Sequence, residues 1–471
     1  MAKSLDLSIE SSHPPRHLHR YCQMPSSADK KYDLVLYGAT GFTGTLAVEY
    51  VVRQYGRASG FTWAIAGRSA AKLEALAAGA GAGLPDVILA DSGDKASLLA
   101  MVALAKVVAT TAGPFARYGT SLVEACVETG TDYCDITGEL TWVREMVAAH
   151  DDAARRSGAR IVSLCGHDSI PWDLSAYMLA RQLRSEHGTA LASVDFFDDI
   201  NSAPSGGTLE TAFDIMSGKQ RKGAATKALG YGPTTLLLVL FRLVLFNSPL
   251  TPYSLPLHSS TRCPSTRYDP MLKTADGTAS GFGLKARNVG SYAAPDASLG
   301  AGAGSKLHRA LFFMAGVNAY AVKRSNALNG YGASVSYREG ASFTSFFAAA
   351  WYLLGLLAFG VSIYVPPLRW LMRRFVLPKP GQGPSRAAME KGYLHVLGVA
   401  KGEDGSVARS TMSFNVDPGY KDTARMLVES ALSFSLGAGC PSGGGVFTPA
   451  ACQKEVLLER LLKTGTEFKF H

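Results

Sequence analysis

Three glycines stand at equal spacing directly after a short apolar run near the start of the sequence. The segment YDLVLYGATGFTG covers residues 32–44. In a dinucleotide-binding turn, such glycines permit a tight turn, a close approach of the pyrophosphate and close packing of the next helix on the strand. The helix N-terminus then presents free N–H groups to the phosphates. We therefore predict a dinucleotide site; a glycine-rich turn without a ligand is the alternative. Its predicted residues are Gly38, Thr40, Gly41, Phe42, Thr43 and Gly44.

The residue that ends the second predicted strand bears on which dinucleotide binds. An acidic residue at this position would accept hydrogen bonds from the ribose hydroxyls of NAD. The segment AGRSAAK instead places Arg68 there, with Lys72 one helical turn later. Because an arginine can pair with a 2′-phosphate, the pattern favours NADP over NAD. A surface arginine without a ligand is the alternative.

The ends of the third and fourth predicted strands complete the expected cofactor site. Asp91 ends the third strand, where it could meet the adenine, and Gly113 and Pro114 follow the fourth on the nicotinamide side. These assignments rest on the rule that ligands bind at the carboxyl ends of the strands in open α/β sheets.

A proton donor is harder to find in the sequence than a cofactor site. Hydride transfer usually needs such a donor beside the nicotinamide. The candidates at strand ends are Tyr118, Asp135, Glu139, His167 and Asp168. The carboxylates could instead cap helices, and the histidine could simply be packed in the core. The tyrosine–lysine pair of short-chain reductases is missing, since Leu122 stands four residues after Tyr118. The sequence therefore leaves the catalytic residue open.

The elements that must position these groups alternate between residues 31 and 170. Apolar runs such as DLVLYG and FTWAIAG are separated by helical stretches. This alternation indicates right-handed crossovers and a parallel sheet with helices on both faces. We predict an α/β chain: a disordered leader over 1–30 and an NADP-binding Rossmann domain over 31–170.

After Pro171 the pattern changes to α+β. Strand candidates at 192–200 and 332–340, with a hairpin-like segment at 392–415, indicate a mainly antiparallel sheet. We assign residues 171–471 to this second domain. Its SGGT loop, residues 205–208, could bind an anion or only cap a helix.

The composition suits a protein with a large core and anionic partners. Hydrophobic residues make up 47%, and the formal net charge is +9, which favours nucleotide phosphates or acidic lipid headgroups. No basic run with interleaved aromatics occurs in the first 330 residues, so nucleic acid is the least favoured partner. The seven cysteines lack C-x-x-C spacing, which predicts reduced thiols and no metal site.

Several motifs, in order along the chain, resemble those of the saccharopine dehydrogenase-like oxidoreductases, which are also similar to bacterial trans-acting enoyl reductases. The motifs are LVLYGATGFTG, WAIAGRS, GPFARYG, YCDITGE, HDSIPWDL, SGGT, PGQGPS and GGGVFTPAACQKEVLLERLLKTGTEF. The resemblance implies an NADP-type Rossmann domain joined to an α+β domain, and eukaryotic members are similar to lipid-droplet proteins. The sequence departs from the family pattern at His167, where a phenylalanine is expected, and in the loop 297–306.

A long apolar segment, residues 341–368, contains no charged residue and is long enough to cross a bilayer. The basic residues Arg369, Arg373, Arg374 and Lys379 follow it and could meet anionic headgroups. Three interpretations stay open: a monotopic membrane or lipid-droplet anchor, a buried core or dimer helix, and a spanning helix. The resemblance makes the segments on both sides part of one folded body, so a single crossing is unattractive and the anchor is favoured.

From these patterns we expect an NADP-dependent oxidoreductase that acts on a lipid or lipid-linked substrate in glycolipid or lipid metabolism. It would work on the cytoplasmic face of a membrane or lipid droplet, with a homodimer as a possible form. The alternative is a catalytically silent membrane or lipid-droplet scaffold that retains a nucleotide-binding fold. Saccharopine metabolism is disfavoured, because no cationic cluster for several substrate carboxylates is evident.

Overall fold

The computed structural model describes residues 30–56, 60–80, 85–167, 169–202, 269, 271, 283–286, 290–293, 306–312, 314–376, 382–436, 440 and 443–471. The predicted leader lies outside these residues except for Lys30. The SGGT loop, the loop 297–305 and Asp168 also lie outside them.

The first sheet is parallel. Its strands in the described residues are β1 (Leu34–Tyr37), β2 (Trp63–Gly67), β3 (Asp86–Leu89), β4 (Val107–Thr110), β5 (Asp132–Asp135), β6 (Arg160–Val162) and β14 (Gly445–Phe447). They are ordered β3-β2-β1-β4-β5-β6-β14, and each neighbouring pair is parallel. The order of the first six strands is that of a dinucleotide-binding Rossmann sheet, whose ligand lies across the point between β1 and β4 where the strand order reverses.

Helices cover both faces of this sheet. They are α1 (Phe42–Gln54), α2 (Ala70–Gly79), α3 (Lys95–Ala103), α4 (Phe115–Tyr118), α5 (Thr120–Thr129) and α6 (Leu140–Ser157). Strand β1 shows why the sheet needs two layers: Leu34 and Leu36 belong to one buried cluster, while Val35 and Tyr37 belong to the other. Because successive side chains point to opposite faces, a strand with only apolar residues must be covered on both.

The second sheet is mixed and mostly antiparallel. Its strands are β7 (Leu191–Asn201), β8 (Gly283–Ala286), β9 (Gly290–Ala293), β10 (Lys306–Ala310), β11 (Ser334–Phe343), β12 (Tyr393–Gly402), β13 (Val407–Phe414) and β15 (Thr466–Phe470). Within the described residues the order is β15-β13-β12-β7-β11-β10-β9, with β8 also beside β11. The β7–β11 and β8–β11 pairs are parallel, and the others are antiparallel. The predicted fold class is confirmed.

The remaining helices connect and cover the two sheets. They are α7 (Ile170–His187), α8 (Ala315–Asn329), α9 (Phe346–Tyr364), α10 (Pro366–Leu371), α11 (Arg386–Glu390), α12 (Thr423–Ser435), α13 (Pro449–Cys452) and α14 (Lys454–Lys463). Short π-helical turns follow α10 (Met372–Val376) and precede α12 (Pro418–Asp422).

The last part of the chain returns to the Rossmann sheet. Strand β14 pairs with β6 through Val446 and Ile161, and the Val446 carbonyl accepts a 2.9 Å hydrogen bond from Arg324 of α8. In α12, the Glu429 carboxylate accepts 2.6 Å hydrogen bonds from the hydroxyls of Tyr50 and Tyr55. Residues that the sequence assigns to the second domain therefore complete the nucleotide-binding sheet and its cover.

The apolar segment forms α9 and the short helix α10, with a break at Val365. One side of α9 packs on the second sheet, where Tyr352 lies against Phe343 with ring centroids 5.2 Å apart. Within the described residues, no helix combines the length and apolarity needed to cross a membrane.

Candidate functional site

The turn between β1 and α1 is built around two glycines whose Cβ atoms would have no room. Gly38 has a φ of +80°, and a Cβ there would lie 2.9 Å from the Ala112 amide nitrogen. A Cβ at Gly44 would lie 2.3 Å from the Gly38 carbonyl oxygen. The first glycine therefore permits the left-handed turn, and the second lets α1 begin against it.

The N-terminus of α1 is open toward a ligand. Its N-cap residue is Gly41, and no side chain among the described residues caps the helix. Thr40 and Gly41 are exposed, and Phe42 and Thr43 are partly exposed. The first-turn N–H groups and the positive end of the helix dipole are thus free to meet a pyrophosphate.

The residues expected at the adenosine end lie around the ends of β2 and β3. Arg68 and Lys72 are both exposed beside the β2–α2 turn. Arg68 and Asp91 both lie near enough to Tyr37 to influence its pKa, which burial raises. The Asp91 carboxylate accepts a 2.8 Å hydrogen bond from the Gly93 amide, so it also shapes the turn after β3.

At the end of β4, a buried glutamate holds the turn on the nicotinamide side. Glu139 accepts hydrogen bonds from the backbone amides of Phe115 (2.6 Å) and Ala116 (3.1 Å) at the start of α4. Gly113, directly before the cis Gly113–Pro114 peptide, is exposed. Glu139 therefore has the capping role that the sequence left as an alternative, on α4 rather than on its own helix.

Both carboxylate oxygens of Asp135, at the end of β5, accept hydrogen bonds from other groups of the protein. Its carboxylate accepts hydrogen bonds from the amides of Thr137 (2.9 Å) and Leu164 (3.2 Å) and from the Ser163 hydroxyl (2.9 Å). Burial raises the pKa of Asp135 to about 6. These hydrogen bonds join the turn after β5 to the turn after β6. The Asp135 carboxylate therefore has a structural role.

His167 lies in the turn between β6 and α7. Its imidazole packs against Trp172 with ring centroids 5.3 Å apart, and burial lowers its pKa to about 3. The ring is therefore neutral at physiological pH and cannot act as a cationic acid there. Tyr118, by contrast, is 39% exposed on α4.

The C-terminal half of the chain reaches the nucleotide loop. A Cβ at Gly383, in the PGQGPS motif, would lie 2.3 Å from the Phe42 ring. The Phe42 ring also packs against Tyr420, with centroids 5.4 Å apart in an edge-on arrangement. The first residue of α1 is thus held between two segments that lie more than 300 residues away in sequence.

A group of buried polar residues near His167 was not singled out from the sequence. The Trp172 indole N–H donates a 2.9 Å hydrogen bond to Asp198 Oδ1. Glu339 accepts from Asn318 Nδ2 at 2.7 Å and from the Tyr337 hydroxyl. We call these residues, Trp172, Asp198, Asn318, Tyr337 and Glu339, the buried acid cluster. The sequence feature that could have indicated this cluster is the presence of acidic residues within the otherwise apolar strands DFFDDI and VSYREG.

Comparison with known proteins places this geometry in a family. Residues 34–162 match the family model described as the saccharopine dehydrogenase NADP binding domain. Over 461 residues, the chain is 33% identical to a trans-acting enoyl reductase of Mycobacterium tuberculosis (strain ATCC 25618 / H37Rv), covering 93% of this chain and 98% of the relative. The trans-acting enoyl reductase of Mycobacterium ulcerans (strain Agy99) is 34% identical over 455 residues, with the same coverage.

The chain belongs to the saccharopine dehydrogenase-like family of NADP-binding oxidoreductases, together with the trans-acting enoyl reductases. The expected resemblance is confirmed. Among solved structures, apo saccharopine dehydrogenase (L-Glu forming) from Saccharomyces cerevisiae matches with a TM-score of 0.46 and 12% identity, covering 93% of this chain and 100% of that one.

For a member of this NADP-binding family, the loop has the expected features. The cradle at Gly38 and Gly44 has no room for side chains, the N-terminus of α1 is uncapped, and Arg68 is exposed at the end of β2. These residues fit a bound dinucleotide with a 2′-phosphate. Among the described residues, no group of three or more His, Cys, Asp or Glu side chains is arranged to hold a metal ion.

Proposed function

We propose that the chain is an NADPH-dependent reductase of enoyl groups on lipid or lipid-linked substrates, working at the surface of a membrane or lipid droplet. The observation that carries the proposal is the nucleotide loop, with its uncapped helix α1 and the exposed Arg68. Relatives that are alike over nearly the whole chain are named trans-acting enoyl reductases, which supplies the substrate class.

Reduction of an enoyl group needs a hydride at the β-carbon and a proton at the α-carbon. Bound NADPH would supply the hydride. The residues of this chain would bind and orient the cofactor: the N–H groups of α1 hold the pyrophosphate, Arg68 pairs with the 2′-phosphate, and Gly113 lies at the nicotinamide side.

The surface location is supported by an exposed apolar face on the segment that the sequence singled out. Phe347 is 79% exposed and Trp351 72% exposed, one turn apart on α9. Trp370, on α10, is 63% exposed, and Phe375, in the turn after α10, is 66% exposed. Monomeric proteins rarely expose such aromatic clusters without a partner. Because Arg369 and Arg374 flank the aromatics, the face fits a leaflet with anionic headgroups.

The reductase activity is tested with the purified full chain. NADPH is titrated by its fluorescence, and its oxidation is followed by absorbance with a series of 2-enoyl thioesters of increasing chain length. We expect binding of NADPH in preference to NADH and turnover that improves with chain length. Failure to bind either nucleotide would refute the proposal. Binding without turnover across the series would instead support the silent scaffold.

The surface location is tested by vesicle flotation. The full chain should float with vesicles that contain phosphatidylserine and less with phosphatidylcholine alone, since the arginines add attraction to anionic lipid. The double substitution Phe347→Ser with Trp351→Ser should abolish flotation. The control is Phe470→Ser, an exposed aromatic on β15. Equal flotation of all three proteins would contradict the assignment of this face.

A further inference from the structure

Strand β15 lies at one end of the second sheet. It pairs with β13, and among the strands that the structure describes none pairs with its other edge. An unpaired edge presents backbone N–H and C=O groups that can bond to a further strand. Phe470 of β15 is 41% exposed and packs against Phe468 with ring centroids 5.0 Å apart. The edge therefore combines open backbone groups with an exposed aromatic side chain.

The pairing with β13 determines which backbone groups of β15 point to the open edge. In its register, the His471 amide donates a 3.0 Å hydrogen bond to the Arg409 carbonyl. Hydrogen-bonded and non-hydrogen-bonded positions alternate along an antiparallel pair of strands. The odd-numbered residues of β15 therefore bond toward β13. The N–H and C=O groups of Thr466, Phe468 and Phe470 point away from β13, to the open edge.

Side-chain contacts hold this edge strand at both ends. At its start, Thr466 Oγ1 accepts a 2.7 Å hydrogen bond from the guanidinium of Arg425, which is buried on α12. Directly after the strand, the imidazole of His471 lies 3.0 Å from Thr411 Oγ1 on β13. A strand that is already held in place loses little conformational freedom when it pairs with another. The open edge is therefore preorganised for association.

The charges of β15 fit a second copy of the same strand. Glu467 and Lys469 point to the face opposite Phe468, and their side chains are 56% and 68% exposed. When two copies of β15 run antiparallel about Phe468, Glu467 of each copy lies opposite Lys469 of the other. Opposite charges directly across two strands are stabilising, whereas like charges are destabilising.

The open backbone groups favour the same register. With Phe468 of one copy opposite Phe468 of the other, Thr466 of each copy lies opposite Phe470 of the other. These are the three positions whose N–H and C=O groups point to the open edge, so they form the hydrogen-bonded pairs. Each Phe470 also becomes a diagonal neighbour of Phe468 in the other copy, on the same face. Backbone, charge and apolar contacts therefore agree on one arrangement.

Charged residues at a sheet edge can also prevent pairing, and β3 at the edge of the first sheet provides a comparison. The charged residue of β3 is Asp86, whose carboxylate lies 2.9 Å from Lys31 Nζ. A second copy of β3 would bring no basic residue of the strand opposite this acid. On β15, by contrast, the acid and the base stand symmetrically on either side of Phe468. Two-fold pairing therefore brings each charge opposite its counterpart.

We propose that the open edge of β15 is a homodimer interface, in which two copies of the chain join their second sheets through antiparallel β15 strands centred on Phe468. Each copy uses the same edge, so the contact is isologous and association stops at two chains. The interface residues belong neither to the nucleotide loop nor to α9. The proposal therefore goes beyond the reductase function and does not depend on it.

The first test is sedimentation velocity of the full chain at concentrations from about 1 µM to about 100 µM. The wild type should form a dimer whose fraction increases with concentration. Lys469→Glu and Glu467→Lys each place two like-charged pairs across the strands, so each should weaken the dimer about tenfold or more. Lys401→Glu makes the same change of charge at an exposed lysine on β12 and is the control. The control should dimerise like the wild type.

The second test mixes the two reversed-charge variants. An equimolar mixture of Lys469→Glu and Glu467→Lys should recover the dimer, because the two acids of one chain then lie opposite the two bases of the other. The double variant Glu467→Lys with Lys469→Glu should also dimerise by itself, since it restores complementary charges. Both changed side chains are exposed, so the variants should fold like the wild type.

Two results would overturn the proposal. One is a wild-type chain that stays monomeric over the whole concentration range, which would mean that the charges of β15 prevent pairing. The other is a dimer that both single variants retain alone. If the double substitution Phe347→Ser with Trp351→Ser then abolished that dimer, the self-association would belong to the exposed face of α9 instead of β15.

Discussion

The Asp173 carboxylate, in the first turn of α7, accepts a 2.9 Å hydrogen bond from the Ala450 amide, 277 residues later. Its other oxygen accepts a 2.6 Å bond from the Ser325 hydroxyl of α8. Asp173 belongs to the HDSIPWDL motif and Ala450 to the GGVFTPAAC motif. Two motifs that carry the family resemblance are thus in direct contact, and the contact joins α7 to α13, the helix directly after β14.

Removal of this carboxylate should destabilise the whole chain. Asp173→Ala leaves the buried Ala450 amide without its acceptor, at about 1–3 kcal/mol, while the Ser325 hydroxyl keeps Thr448 Oγ1 as a partner. Asp173→Asn retains one acceptor oxygen and should lose about half as much. The free energy of unfolding is measured by urea titration of both variants and the wild type. An unchanged midpoint in Asp173→Ala would show that the interior rearranges to satisfy this amide.

The nucleotide loop can be blocked without unfolding it. Among the described residues, a Cβ at Gly41 would meet only the Gly38 carbonyl oxygen, at 3.3 Å, and Gly41 has an ordinary φ of −77°. Gly41→Ala should therefore fold, while its methyl group occupies the approach of the pyrophosphate and weakens NADPH binding at least tenfold, or about 1.4 kcal/mol. Gly79→Ala is the control, since a Cβ at Gly79 would have none of the described residues within 4 Å. Wild-type NADPH affinity in Gly41→Ala would place the pyrophosphate elsewhere.

Arg68 should determine the preference for NADPH over NADH. Loss of a charge-assisted hydrogen bond to the 2′-phosphate costs about 1.5–3 kcal/mol, or roughly 10- to 100-fold in affinity. Arg68→Ala should therefore weaken NADPH binding by this factor and leave NADH binding unchanged. Lys401→Ala, an exposed lysine on β12, controls for the loss of one positive charge. A parallel loss for both nucleotides would argue against recognition of the 2′-phosphate by Arg68.

His167 should make the chain sensitive to mild acid. Because burial lowers its pKa to about 3 from an ordinary 6.5, the unfolded chain binds the extra proton between these values. Stability is then lost as the pH falls below about 6.5, by about 1.4 kcal/mol for each pH unit. His167→Phe, the residue that the family resemblance expects, should remove this loss.

The measurement is the difference in unfolding free energy between pH 7.5 and pH 5 for the variant and the wild type. Buried Asp135 and Asp173 have raised pKa values, so they oppose the effect of His167 below about pH 6. Their contribution is the same in both proteins and cancels in the comparison. His187→Phe, at an exposed histidine on α7, is the control. Identical acid sensitivity in His167→Phe and the wild type would mean that the buried imidazole is not the source.

The local features of the nucleotide loop could be predicted from the sequence because a strand, a glycine turn and a helix are specified by neighbouring residues. A capping role for Glu139 could likewise be predicted as an alternative to catalysis, because the residue lies at a strand–helix junction. The sequence does not indicate that α4 is the helix that it caps. Strand β14 could not be predicted in the first sheet. It has three residues, and its partner β6 lies more than 280 residues earlier.

The buried acid cluster depends on still more distant contacts. Asp198 and Glu339 become neighbours only through the β7–β11 register, and Trp172 reaches them from another element. Single acidic residues in apolar strands predict that carboxyl groups are buried. They do not predict which of these carboxyl groups become neighbours in the fold. The apolar segment was evident from its length and composition. Only the structure shows that one side of its helix α9 packs on the second sheet while the other side is exposed.

The return of β14 to the first sheet has a consequence for biosynthesis. The ribosome releases β1 to β6 long before residue 445, so the edge of β6 waits without its final partner while about 280 residues are made. Domains usually fold in order as they emerge, but here the nucleotide-binding half is completed near the end of translation. A chain stopped after α12 would retain the phosphate loop and Arg68, yet expose the β6 edge to other nascent chains. Quality control could therefore detect a truncated product at β6, far from the break itself.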